Sequence, residues 1–158
     1  MDPLFEFALT VKAIQRELER RTNEAMAPLG LTGAQADALI VIGQAEPLAL
    51  KDLGGLLIAE GGHPSRLVDR LVAAKLVKRH IPRDDRRSVQ LSLTAAGHKL
   101  EQQVNAARAG VFDLARTLIG ERDLGPGLDL LRDLAQHTAY GELIARRRTL
   151  SESGSERA

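Results

Sequence analysis

The sequence predicts a mainly α-helical fold with one small β-hairpin, and three observations predict it. Aromatic residues are scarce, with no Trp, one Tyr and three Phe among 158 residues, so Leu, Val, Ile and Ala must fill the core, which suits helix-on-helix packing. Apolar residues recur at helical spacing over most of the chain. Between Val77 and Leu93 the pattern changes: Val89, Leu91 and Leu93 alternate with polar residues, the signature of a strand with one buried face.

Asp2 can cap a first helix, and Pro3 suits its first position because it has no donor to waste. Leu4, Ala8, Val11, Ile14 and Leu18 carry that helix to about Ala27, and Pro28-Leu29-Gly30 ends it. Thr32 and Gln35 form a capping box for a second helix, about Gly33 to Ile42, with Gly43 expected to stop it. Pro47 falls in the next turn, and a short third helix is expected from about Leu50 to Ile58. Its Gly54-Gly55 pair weakens it, so close packing against a neighbour must hold it. Glu60-Gly61-Gly62 reads as a turn, and Pro64 starts a fourth helix ending near Ala74. Leu67, Val68, Leu71 and Val72 form its inward stripe; Ser65, Arg66, Asp69, Arg70 and Ala73 occupy the other side.

A strand from Val77 to Pro82, the charged loop Arg83-Asp84-Asp85-Arg86-Arg87 and a strand from Ser88 to Leu93 make the hairpin. Thr94 caps a long fifth helix whose Leu100, Val104, Ala107, Val111, Leu114 and Leu118 form a seam that wants a partner helix. Gly120 and Gly125-Pro126-Gly127 mark a break, and a last helix is expected from about Leu128 to Arg146, with Arg146-Arg147-Arg148 complementing its C-terminal dipole. Residues 151–158 read as a disordered polar tail.

The order of elements describes a winged helix-turn-helix over residues 31–94, flanked by helices at 1–30 and 95–150. Those outer helices carry more apolar surface than so small a core can cover, and a homodimer formed through them is the economical solution. Charge points the same way. From His63 to Lys99 there are nine Lys/Arg against three acids, a net of +6 in a chain whose total is +1. Positive charge gathered in one compact segment is an electrostatic footprint for a polyanion.

Other function classes are excluded or disfavoured. With no Cys, there are no disulfides, thiolate metal sites or thiol sensors. No apolar run is long enough to span a membrane and the N-terminus lacks a signal-peptide pattern, so a cytoplasmic protein is expected. His63, His80, His98 and His137 show no metal-ligand spacing, and no cofactor is expected. The acids form no paired catalytic set. Ser65-Arg66 lacks a nucleophile-elbow setting, and the glycine pairs lack the Lys-Ser/Thr of a phosphate loop, so an enzyme is not expected.

The chain resembles the MarR family of bacterial transcription regulators. Asp85-Arg86-Arg87, followed by Val89, Leu91, Leu93-Thr94 and Gly97, is similar to that family's D-R-R…L-T-x-x-G signature. Ser65-Arg66-Leu67-Val68-Asp69-Arg70-Leu71 resembles its recognition helix, and Leu76-Val77 with Arg79 its entry to the wing. The chain departs from the family pattern where Lys75 replaces a usual Gly, at the start of the third helix (Ala49 or Leu50 for Thr or Ser), and at Gly54-Gly55. The resemblance implies that Arg87 enters a minor groove with Asp85 holding its guanidinium. It also implies a small lipophilic or phenolic effector bound in a cleft between the dimer helices and the DNA-binding lobe.

The reading at this stage is a sequence-specific regulator of double-stranded DNA, a repressor relieved by a small ligand. Its operator is a pseudo-palindrome. Ser65 and Arg66 meet base edges from the first helical turn, with Arg70 one turn on and His63 at a phosphate or the helix cap. Arg83 and Arg86 touch phosphates. The rival reading is a winged-helix interaction module whose basic wing binds an acidic partner.

Overall fold

The computed structural model describes residues 1–58, 64–82 and 88–155. The chain is helical with a small antiparallel sheet. Its elements are α1 (Pro3–Met26), α2 (Gly33–Ala45), β1 (Leu48–Ala49), α3 (Leu50–Leu53), α4 (Pro64–Ala73), β2 (Val77–His80), β3 (Gln90–Leu93), α5 (Ala95–Ile119), α6 (Gly125–Gln136) and α7 (Gly141–Ser155). Short 3-10 turns at Ala27–Leu29 and Gly54–Leu56 follow α1 and α3.

The expected caps form. Asp2 accepts the Leu4 N–H at 2.7 Å. Thr32 and Gln35 close a reciprocal capping box, with Gln35 N–H to Thr32 Oγ1 at 3.2 Å and Thr32 N–H to Gln35 Oε1 at 2.8 Å. α2 lies at the centre of the lobe, with Ala38, Leu39, Val41 and Ile42 fully enclosed. Leu53 and Leu56, Val68 and Leu71 of α4, Leu91 and Leu93 of β3, and Val104 of α5 close around it. This burial of aliphatic side chains, each worth about 1.5–3 kcal/mol, is the main force holding the lobe together.

Several expectations are corrected. Gly43 does not stop α2, which continues to Ala45. The helix ends instead at Glu46, because a residue before proline is pushed out of the helical region. Gly43 has another use: a Cβ there would sit 2.5 Å from Glu101 Oε1, so the glycine admits that side chain. The third helix is shorter than expected, giving way to the 3-10 turn at Gly54-Gly55. The sheet has three strands, in the order β1-β3-β2, because Leu48 and Ala49 pair with Leu91 and Gln90.

The last helix is two helices. α6 begins at the Gly125-Pro126-Gly127 cluster, where proline suits a first turn. It ends at Gln136, and the chain turns through residues 137–140. Thr138 Oγ1 donates to the Ala135 carbonyl at 2.7 Å and accepts the Tyr140 N–H at 3.1 Å. α7 then starts at Gly141, where a Cβ would lie 2.9 Å from Gln136 Cα, closer than a side chain tolerates. α7 extends to Ser155, five residues into the segment read as a tail. No single helix among the described residues is long and apolar enough to cross a membrane.

Candidate nucleic-acid interface

α4 is amphipathic in the manner its sequence demands. Val68 and Leu71 are buried, Leu67 and Val72 half-buried, and Ser65, Arg66, Asp69, Arg70 and Ala73 exposed. Burial of one stripe fixes the helix's rotation and so decides which side chains face outward. Ser65 and Arg66 stand in the first turn, with Arg70 one turn later on the same outer side.

The acid on this face is already engaged. Asp69 Oδ1 accepts from Arg79 Nη2 of β2 at 2.6 Å, which ties α4 to the first strand of the hairpin. Among the described residues no acid pairs with Arg66 or Arg70. Two exposed guanidiniums on a helix whose one acid is held elsewhere can take base edges or phosphates without breaking a structural bond.

The junction behind α4 is tightly built. β2 pairs with β3 in the register Val77↔Leu93, Lys78↔Ser92, Arg79↔Leu91 and His80↔Gln90. Thr94 Oγ1 caps α5 by accepting the Gly97 N–H at 3.0 Å. A Cβ at Gly97 would lie 2.1 Å from the Leu76 carbonyl oxygen, so only glycine lets α5 start this close to the turn that follows α4. That gives a steric reason for the Thr-x-x-Gly spacing. On the outer face of the sheet, Lys78, His80, Gln90 and Ser92 line a shallow depression beside Pro47, adding positive charge near the wing.

Of the residues singled out from the sequence, the structure brings Ser65, Arg66 and Arg70 together on one exposed face. His63, Arg83, Asp85, Arg86 and Arg87 lie outside the described residues, as does the turn at Glu60-Gly61-Gly62. The Asp69–Arg79 tie was missed, since its partners are ten residues apart on different elements. So was the role of Arg147. It was read as complementing a helix dipole, but its guanidinium forks onto Asp37 of α2.

A family profile described as "Winged helix DNA-binding domain" matches residues 31–97. The multiple antibiotic resistance protein MarR of Escherichia coli strain K12 is 30% identical over 93 residues, which is 59% of this chain and 65% of that protein. The match therefore spans just under two thirds of that relative's length. Among solved structures, AbsC, a MarR family transcriptional regulator from Streptomyces coelicolor, superposes with a TM-score of 0.78 at 22% identity, covering 87% of this chain and 95% of its own. A mutant MarR of E. coli complexed with operator DNA superposes with a TM-score of 0.71 at 25% identity, covering 85% and 99%.

Proposed function

We propose that this chain is a MarR-type winged-helix transcription regulator, a homodimeric, sequence-specific reader of double-stranded DNA acting as a repressor. One observation carries the proposal: α4 buries its apolar stripe and turns Ser65, Arg66 and Arg70 outward, with its acid Asp69 held by Arg79. In this reading Ser65 and Arg66 meet base edges in a major groove and Arg70 takes a base or phosphate. His63 contacts a phosphate or caps the helix. The wing segment supplies Arg87 to a minor groove with Asp85 steadying it, and Arg83 and Arg86 to phosphates. Arginine suits a narrow groove because it is weakly hydrated and forked.

The dimer is supported by unpartnered apolar surface. Only Met26 is buried among the 24 residues of α1, while Leu4, Phe5 and Ile14 stand more than half exposed. Leu118 of α5 and Leu130 of α6 do the same at the other end of the chain. A two-fold pair would place two recognition helices in successive major grooves, about ten base pairs apart. A small lipophilic or phenolic effector would relieve repression by favouring a lobe spacing that misfits the duplex, to the extent that it binds that state more tightly.

The test is a gel shift on the DNA upstream of this chain's own coding region, in excess nonspecific DNA. A competitor-resistant shift is expected. A shift abolished equally by any duplex would leave only polyanion binding and favour an acidic protein partner for the wing.

A further inference from the structure

We infer that α7 is a strut that sets the position of the recognition helix, with Arg147 as its positioning residue; the inference rests on the DNA-reading function proposed above. The segment between α2 and α4 is weak by itself. α3 has a single turn, and a 3-10 turn containing Gly54 and Gly55 follows it. Neither has the length or the propensity to hold its shape unaided. Something must brace it from outside.

The brace comes from the far end of the chain. Arg147 Nη1 and Nη2 reach Asp37 Oδ2 and Oδ1 of α2 at 3.0 and 2.7 Å, a two-point fork. The same Nη1 donates to the Leu56 carbonyl at 3.0 Å. The fork thus fixes the 3-10 turn to α2 through one guanidinium. The pair is half-withdrawn from water, with side-chain exposures of 20% for Arg147 and 37% for Asp37. Its neighbour Arg146 lies over Gly55, where a Cβ would meet the guanidinium at 3.0 Å. Buried Leu143 and core-packed Leu150 seat the rest of α7.

The braced turn in turn touches the recognition helix. A Cβ on Gly54 would stand 3.1 Å from Pro64 Cγ, so the turn's backbone lies directly against the residue that starts α4. Contact therefore runs from Arg147 through Leu56 and Gly54 to Pro64, one residue before Ser65. The glycine pair, a departure from the family pattern, is what lets both contacts be this close. Removing the Arg147 fork leaves the Asp37 carboxylate and the Leu56 carbonyl without their donor and frees the turn to shift. A shift there moves the first turn of α4, where base edges are met.

The experiment compares full-length wild type with Arg147→Met and Arg147→Lys, using a duplex enriched from a randomised pool by the wild-type protein. Arg147→Met should bind that duplex roughly 2- to 30-fold more weakly, the size of effect that a coupling residue produces. Arg147→Lys, which keeps the charge but loses the fork, should fall between. Native-state hydrogen exchange supplies the second readout. In Arg147→Met the amides of residues 50–56 and 64–73 should exchange faster while those of α5 do not. Unchanged affinity, or exchange that rises uniformly through the molecule, overturns the inference. A wild-type protein that enriches no duplex would sink the DNA-reading proposal instead, and the strut would then stand or fall on the exchange pattern alone.

Discussion

Thr94 donates its hydroxyl to the carbonyl oxygen of Lys75 at 2.7 Å. The residue that caps α5 thereby also closes the turn behind α4. One side chain joins the DNA-binding lobe to the longest helix of the outer region, and its replacement has two separable consequences. Thr94→Val keeps the shape but loses both the cap and the bond to Lys75. It should cost about 1–2 kcal/mol in urea unfolding. Thr94→Ser, which keeps the oxygen, should restore most of that. A Val variant as stable as wild type would show that the bond contributes nothing.

Lys75 itself is held at φ 59°, in the left-handed region. An L side chain there costs about 1–2 kcal/mol, and glycine gives back about 0.5–1 kcal/mol of that through its freer unfolded chain. Lys75→Gly should therefore stabilise the protein by about 0.5–1 kcal/mol in the absence of DNA. A fall in Tm would mean that the Lys75 side chain makes a contribution larger than the strain.

Glu101 supplies a pH signature. Burial lifts its carboxyl above the ordinary carboxylate value, partly offset by His98, whose Nδ1 lies 3.6 Å away; Glu46, bonded to His98 Nε2 at 3.0 Å, adds to the lift. A raised folded-state value means that the folded chain holds this proton more tightly than the unfolded chain. The favourable contribution is complete below the unfolded value and disappears as pH rises through the folded one. Glu101→Gln should accordingly raise Tm at neutral pH, with the difference from wild type shrinking toward about pH 4. A loss of stability at neutral pH that shrinks toward about pH 4 would show that the His98 pairing outweighs burial.

The proposed homodimer rests on the exposed apolar face of the outer helices. Wild type should sediment at twice the chain mass at micromolar concentration. Ile14 is 63% exposed and Leu118 67% exposed in the single chain. In a two-fold pair each substitution acts twice, and each side chain buried there contributes about 1.5–3 kcal/mol. Ile14→Glu with Leu118→Glu should give a folded monomer. A wild-type monomer would remove the need for any partner surface.

Much of this architecture was legible in the chain. Thr32-x-x-Gln35 fixed the start of α2, and the spacing of Leu67, Val68, Leu71 and Val72 fixed the rotation of α4, because local capping and helical periodicity are written in neighbouring residues. What escaped notice depends on distance. β1 has two residues, too few to show alternation, and becomes a strand only because β3 offers its edge. Gly43 looked like a stop until Glu101, far along the sequence, was seen to need its space. The break before α7 rests on a single glycine at 141, and the Arg147–Asp37 fork joins positions 110 residues apart. No periodicity encodes an ion pair of that span.

The central claim is that the outer face of α4 reads sequence. The most direct test is an anisotropy titration of wild type and Arg66→Ala against the enriched duplex and a scrambled duplex of equal length and composition, across a salt series. Wild type should prefer the enriched duplex, and Arg66→Ala should lose about 1–3 kcal/mol of that preference while retaining most of its affinity for the scrambled duplex. Equal preference in the two proteins, or none in wild type, would contradict the account.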